Sequence, residues 1–254
     1  MKIEIDINLT AQQNANLYYE KAKKIKKKID GSKEAIEKIK KQIEEIEKEK
    51  KKERKIKTIE EKEWYERFRY FFTSHNFLAL CGKNAEQNQI LFLKYFEEGD
   101  LFFHADIFGG GVLILKNGKN AKQEDKLEAA QFAACYSNAW EEGYSSVDVY
   151  SLPFSQVKPS TKKGEFLLFG EREWYRDVEL CLRIIEIDKK IISIPDKSKI
   201  QAKKEVRIKP GSLERNKAAE EIAKFFNVEK EKIEVLLPNG KFEIKFFSTE
   251  SKKF

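Results

Sequence analysis

The chain has 254 residues, with 50 Lys and Arg against 43 Asp and Glu, giving a net charge of +7 and a pI near 9.0. Length allows one large domain or two modest ones, and no apolar stretch approaches the roughly 18 residues of a membrane-spanning helix. The charge is uneven: residues 20–63 hold 18 Lys or Arg and 12 Asp or Glu, a net of +6, so a basic polar segment joins a nearly neutral body that holds most of the 19 Phe.

The opening Met1-Lys2-Ile3-Glu4-Ile5-Asp6-Ile7 alternates like a strand and lacks the features of a signal or transit peptide. Thr10 is placed to cap a helix running to about Ile29, with Tyr18, Ala22, Ile25 and Ile29 spaced 4-3-4. Asp30-Gly31-Ser32 is a turn, and Ile36, Ile39, Ile43 and Ile46 continue the pattern at 3-4-3. Both stripes have a coiled-coil seam, and the short break makes the helices antiparallel, an arm roughly 30 Å long. Its Lys runs fit either a solvated helix face or a basic arm on a phosphate backbone. Lys and Glu enrichment with a single Met is also what growth at high temperature selects.

Thr58-Ile59-Glu60-Glu61 has the form of a capping box opening a helix through Trp64–Phe72. A strand at Phe77–Cys81 follows, then a helix from Asn84 to about Tyr95, a strand at Leu101–Ile107, a bend at Gly109-Gly110-Gly111 and a strand at Val112–Leu115. A helix over 123–142 carries small residues suited to packing on a sheet, and strands are expected near 146–152, 166–170 and 182–187. Asp196–Lys204 is polar and basic like a linker. Beyond it come Val206–Gly211, a helix capped by Ser212 and a hairpin at Leu236–Phe242. The fold class is α+β, with an incompletely parallel sheet.

The three cysteines, Cys81, Cys135 and Cys181, are isolated, which fits buried thiols in a reducing compartment. Two histidines, His75 and His104, exclude a multi-His metal site, and no cofactor is expected; the protein reads as cytoplasmic. His104 and Asp106 face one way on an alternating strand, as a structural pair, a polar recognition site or, with no nucleophile motif nearby, a poor catalytic one. Gly109–Gly111 lacks the ending of a phosphate loop and is followed by a strand. Asn84, Gln87 and Asn88 form an amide-rich helix start, either plain capping or a meeting point for phosphate or base. Lys158 and Lys163 lie in a Pro/Ser/Thr loop, and Arg172 with Trp174 offers a cation beside a stacking surface.

Taken in order, the helical hairpin, Trp64–Phe71, Thr73-Ser74, Asn84–Asn88, Gly99–Asp106, Asp148-Val149-Tyr150 and Gln156-Val157-Lys158 resemble the C-terminal half of the NFACT family. That group includes bacterial RqcH, eukaryotic NEMF and the fibronectin-binding protein A-like proteins. The resemblance implies a strand plus antiparallel coiled-coil hairpin at 1–57, an NFACT-R domain at 58–194 with a mixed α/β sheet, and a linker with a small archaeal-type α/β appendage at 195–254. It also implies a non-catalytic, RNA-binding part of ribosome-associated quality control, acting on obstructed large ribosomal subunits and contacting tRNA or rRNA. The contact residues implied are Lys83, Asn84, Gln87, Asn88, His104, Asp106, Lys116, Lys158, Lys163 and Arg172. The resemblance covers only the family's C-terminal half, so a split subunit with a separate N-terminal partner, a standalone module or a fragment is expected, and no membrane. An alternative is a protein-interaction module that docks such a partner, with RNA secondary. Several positions depart from the family pattern: His75-Asn76 for Asp-Gly, Lys83-Asn84 for Arg-Asp, Phe108 for His, and Phe169 and Glu171 at positions commonly basic.

Overall fold

The computed structural model describes residues 8, 10–26, 28–29, 63–162 and 164–248. They fall in two units, residues 1–62 and 63–254. In the first, helix α1 covers residues 11–29, apart from 27. Thr10 and Gln13 cap it reciprocally: Gln13 N donates to Thr10 Oγ1 (3.3 Å) and Thr10 N to Gln13 Oε1 (2.8 Å). Tyr18, Ile25 and Ile29 are exposed on it. The turn at 30–32 and the second helix expected of a coiled-coil arm lie outside the described residues, as does the capping box at 58–61.

In the second unit the segment expected as a helix begins instead with one 3₁₀ turn, Trp64–Arg67, and continues as strand β1, Arg69–Phe72. Aromatic residues lose rotamer freedom in a helix and fit a half-buried pleated surface, and here they alternate between two cores. β2 (Leu78–Cys81), α2 (Ala85–Tyr95), β3 (Leu101–Ala105) and β4 (Leu113–Leu115) follow close to their expected positions. The long helix expected over 123–142 is broken into α3, Gln123–Cys135, and α4, Asn138–Glu141. Ser137 breaks it by accepting from Ala139 N as the cap of α4.

Strands β5 (Ser146–Pro153) and β8 (Glu173–Glu179) complete a six-stranded sheet in the order β1-β2-β4-β3-β5-β8. Between them β6 (Val157–Pro159) and β7 (Phe166–Leu168) form a separate two-stranded ribbon. Every strand pair is antiparallel, so the α+β class holds while the partly parallel sheet does not. Two-residue alternation sorts the side chains. Phe103, Ala105, Leu113 and Leu115 face α3, whereas Leu80, Phe102, Ile114 and Leu152 join Leu91 and Phe92 of α2 in a second core.

The second sheet takes strands from both sides of residue 195. Its order is β10 (Lys190–Pro195), β9 (Leu182–Ile187), β11 (Lys204–Leu213) and β12 (Phe242–Ser248). Helices α5 (Arg215–Phe226) and α6 (Lys230–Glu234) connect its last two strands. α5 starts after Glu214 with no side-chain cap, not at Ser212. The tail expected as an appendage therefore shares one core with what precedes it, because β9 has no partner on one side until β11 pairs with it. Tyr136 fixes this junction: its hydroxyl donates to Leu236 O (2.6 Å) and meets Ser193 Oγ (2.7 Å). Trp140, 1% exposed, packs on Phe242 and donates to Lys241 O. Among the described residues no helix is long and apolar enough to cross a membrane.

Two outcomes follow from this packing. Trp140→Ala should cost roughly 3–5 kcal/mol and leave a single calorimetric unfolding transition, because both sheets share the core; two separated transitions would refute the shared core. Asp100, 3% exposed, accepts from Lys116 Nζ (2.6 Å), Asn117 N (2.7 Å) and Glu97 N (2.9 Å). Asp100→Ala strands the two backbone donors and takes one of three oxygens from Lys116, and should lower stability in urea by roughly 3 kcal/mol; a loss under about 1 kcal/mol would show that the network is dispensable.

Candidate nucleic-acid interface

The face of the six-stranded sheet that carries α2 is not fully covered. Beside the C-terminal ends of β2 and β3 a cleft of 660 Å³ opens between the start of α2, the Gly109–Gly111 bend, the β6–β7 ribbon and the break between α3 and α4. Residues of both cores line it, from Phe102 and Phe166 on one side to Tyr136 on the other.

Its floor is set by close approaches that only small residues allow. Gly109 has φ +81°, and a Cβ there would strike the Asn138 side chain. A Cβ on Gly110 would sit 2.8 Å from His104 Cε1. The triple glycine is thus a bend pressed onto side chains, as its sequence context suggests. Gly164, with φ +79°, brings the ribbon's loop against Ala85 at the first turn of α2.

Four of the sequence-derived candidates line this cleft: Lys83, Asn84, Asn88 and His104. Asn84 caps α2 by accepting from Gln87 N (2.9 Å). Gln87 is spent on the same turn, accepting from Lys83 N and donating to Arg67 O. Asn88 is 8% exposed and turns inward, its Oδ1 buried without a hydrogen bond. His104 lies parallel to Phe102 and near Tyr150, which it faces across the β3–β5 pairing. Burial pushes its imidazole pKa down, Arg172 adds to that, and the backbone of Ala105 and Gly110 with the charge of Asp106 partly opposes it. The ring is neutral at pH 7, so it offers a donor and an acceptor rather than a charge.

Arg172 lies at the rim, its guanidinium 4.5 Å from the centre of the Tyr150 ring that lines the cleft. The other candidates are not brought into it. Asp106 is exposed beyond the end of β3, its N donating to Asp148 O, and no hydrogen bond joins it to His104. Lys116 is held by Asp100, Glu97 and Tyr95 O. Lys158 lies on the ribbon with its ammonium 5.5 Å from the Phe169 ring. Lys163 lies outside the described residues.

Sequence reasoning missed one of the two cations that line the cleft. Arg69 lines the cleft with its guanidinium 4.4 Å from the Tyr136 ring centre; its Nε is buried without a hydrogen bond. A reading of 64–72 as a helix hid it, because a helix face gave no reason to single out one arginine. Asn138 and Asn239 were missed as well, the first inside an expected continuous helix and the second in an expected hairpin turn. Phe108, 93% exposed at the mouth, had been visible as a departure from a family pattern. Among the described residues no cluster of His, Cys, Asp and Glu is able to hold a metal ion, and the three cysteines are buried free thiols.

Comparison with known proteins bears on this same region. The family described as NFACT protein RNA binding domain matches residues 67–175, which span the six-stranded sheet through Tyr175 and include Arg69, α2, the glycine bend and Arg172. The "Archaeal Rqc2 homolog aRqcH" of Methanocaldococcus jannaschii is 36% identical over 203 residues, covering 74% of this chain and 30% of that protein. The "Ribosome quality control complex subunit NEMF" of Homo sapiens is 28% identical over 166 residues, 63% of this chain and 15% of that protein. A solved C-terminal part of the fibronectin/fibrinogen-binding protein of Streptococcus suis is 24% identical with a TM-score of 0.40, covering 67% of this chain and 77% of that one. The chain thus spans less than a third of the length of the two curated relatives. The matched domain and the archaeal and animal relatives together make this chain a member of the NFACT family.

Proposed function

We propose that this chain is the RNA-binding part of a ribosome-associated quality-control factor, non-catalytic, that contacts tRNA or rRNA on an obstructed large ribosomal subunit. The observation that carries this reading is the pattern of cation pairing on the domain matched to an RNA-binding family. Most lysines and arginines of the body that approach a carboxylate are spent on it: Lys116 on Asp100, Lys119 on Glu98, Lys126 on Glu173, Lys199 on Glu124 and Lys209 on Glu179. Arg69 and Arg172 are instead stacked on tyrosine rings at the cleft. A guanidinium held over an aromatic ring and not neutralised by a carboxylate is suited to a phosphate or a base. The basic segment at 20–63 would add backbone contacts without sequence preference.

The same pairing pattern gives a second reading its support. A body whose surface charges are largely satisfied internally suits a protein partner, here a separate NFACT N-terminal half, with RNA contact secondary.

Co-sedimentation of the full chain with separated ribosomal subunits distinguishes the two. If three phosphate contacts are made, affinity should fall about 40-fold between 50 and 200 mM salt. Replacing Lys158, Lys163 and Arg172 together by alanine should weaken binding and flatten that slope. Salt-independent binding, untouched by the triple replacement, would reject the RNA reading in favour of protein docking.

A further inference from the structure

Three polar atoms of residues that line the cleft are buried without a hydrogen bond of good geometry: Nε of Arg69, Oδ1 of Asn88 and, beside the backbone of Ala105 and Gly110, Nδ1 of His104. Buried polar atoms are nearly always hydrogen bonded, and each exception calls for a physical reason. Strain is one such reason, but these three come from three separate elements, β1, α2 and β3, and share one cavity. Chemically they are a cationic donor, an amide acceptor and a ring nitrogen able to act as either.

The walls add a second constraint. Phe102, Tyr150 and Phe166 line the cleft, and Phe108 stands at its mouth almost fully in solvent. A bare phosphate has no use for aromatic walls, and 660 Å³ lies within the range of pockets that enclose a small organic molecule. A base paired in a duplex keeps its Watson–Crick edge inside the helix, away from atoms at the floor of a cleft. A flat heterocycle with donors and acceptors on its edge, attached to an anion, meets all of these constraints.

We infer that the cleft receives one unstacked nucleotide of a single-stranded RNA, its base edge on Asn88 and His104, its ring against Phe108 and its phosphate at Arg69. The neutral state of His104 suits this role, since a neutral imidazole pairs with a base edge at no electrostatic cost. The Gly109–Gly111 bend then has a function beyond turning the chain: it seats Phe108 at the cleft, and the missing side chain of Gly110 leaves room for the His104 ring. This inference rests on the RNA-binding reading above and narrows it to a class of RNA.

Fluorescence anisotropy of the full chain with a fluorescein-labelled eight-nucleotide RNA, single-stranded and annealed to its complement, tests it. The single strand is expected to bind at least tenfold more tightly than the duplex. Phe108→Ala should lower single-strand affinity roughly tenfold, the effect of losing one base–aromatic stack, and leave duplex affinity unchanged. Arg69→Met should weaken the single strand similarly, and the exposed Phe108 keeps the test valid if that variant folds poorly by circular dichroism. Displacement by free nucleoside monophosphates, or only by longer strands, upholds the site and tells whether one nucleotide suffices. Displacement by inorganic phosphate at the same concentration overturns base recognition. Equal affinity for strand and duplex, unmoved by Phe108→Ala, overturns the nucleotide site while leaving RNA binding intact; no binding of either form overturns both.

Discussion

Helix α3 lies between the two sheets with nine of its thirteen residues buried, touching β3, β4, β5 and β8 on one side and β10 on the other. A helix enclosed in this way has little solvent face beyond its first turn, so its side chains must be small wherever strands approach closely. Ala129, Ala130, Ala133 and Ala134 meet that demand. The polar residues it keeps are each committed to a loop. Asp125 accepts from His75 N and Lys122 N, Glu128 from Ser74 N, and Gln131 from Lys197 N while donating to Glu179 O. Burial works against the Asp125 carboxylate, but hydrogen bonds from Thr73, His75 and Lys122 outweigh it and hold the pKa below the ordinary value. For Glu128 burial wins and the pKa rises. The helix is thus both the spacer between the sheets and the post to which the loops at 73–75 and 197 are tied.

This enclosure determines where the cleft forms. A buried helix cannot simply run on into solvent, and α3 stops at Cys135 with Ser137 capping the short α4. The break delivers Tyr136 to the junction of the sheets and Asn138 against Gly109. From the opposite face α2 contributes Asn88, and β3 places His104 opposite Tyr150. The floor is therefore assembled from residues whose positions are fixed by the core, with Phe108 alone left outside it. Preorganisation of this kind lets a ligand bind without ordering the site first.

Much of the body was legible in the sequence because its signals were local. Asn84 and Gln87 announce the start of α2, Gly99-Asp100 the turn into β3, and the alanine run a helix destined for close packing. The α+β class follows from these. What sequence could not supply were the outcomes decided by distant partners. Tyr65–Phe72 has the same aromatic content whether helical or extended, and only pairing with Leu78–Cys81 settles it. The supposed boundary at 195 reads as a linker because its residues are polar, yet Lys197 and Lys199 are bonded to Gln131 and Ser74 across the helix. Arg69 could not be foreseen as a cleft residue before β1 was known to be a strand.

Charge shows the same division between what composition counts and what structure uses. A net +7 says little about where an anion can bind, since a lysine already paired with a carboxylate must break that pair before it neutralises a phosphate. Lys116 illustrates the loss: three oxygens hold its ammonium, so its charge serves the turn at Glu97–Asp100 and no ligand. Arg69 illustrates the opposite. Its partner is the face of Tyr136, and among the described residues no carboxylate pairs with its guanidinium. Binding capacity is governed by how many cations are left unpaired and how rigidly they are held. On that measure Arg69 and Arg172, each stacked on a tyrosine ring, are the cations of the body best placed to meet the proposed ligand.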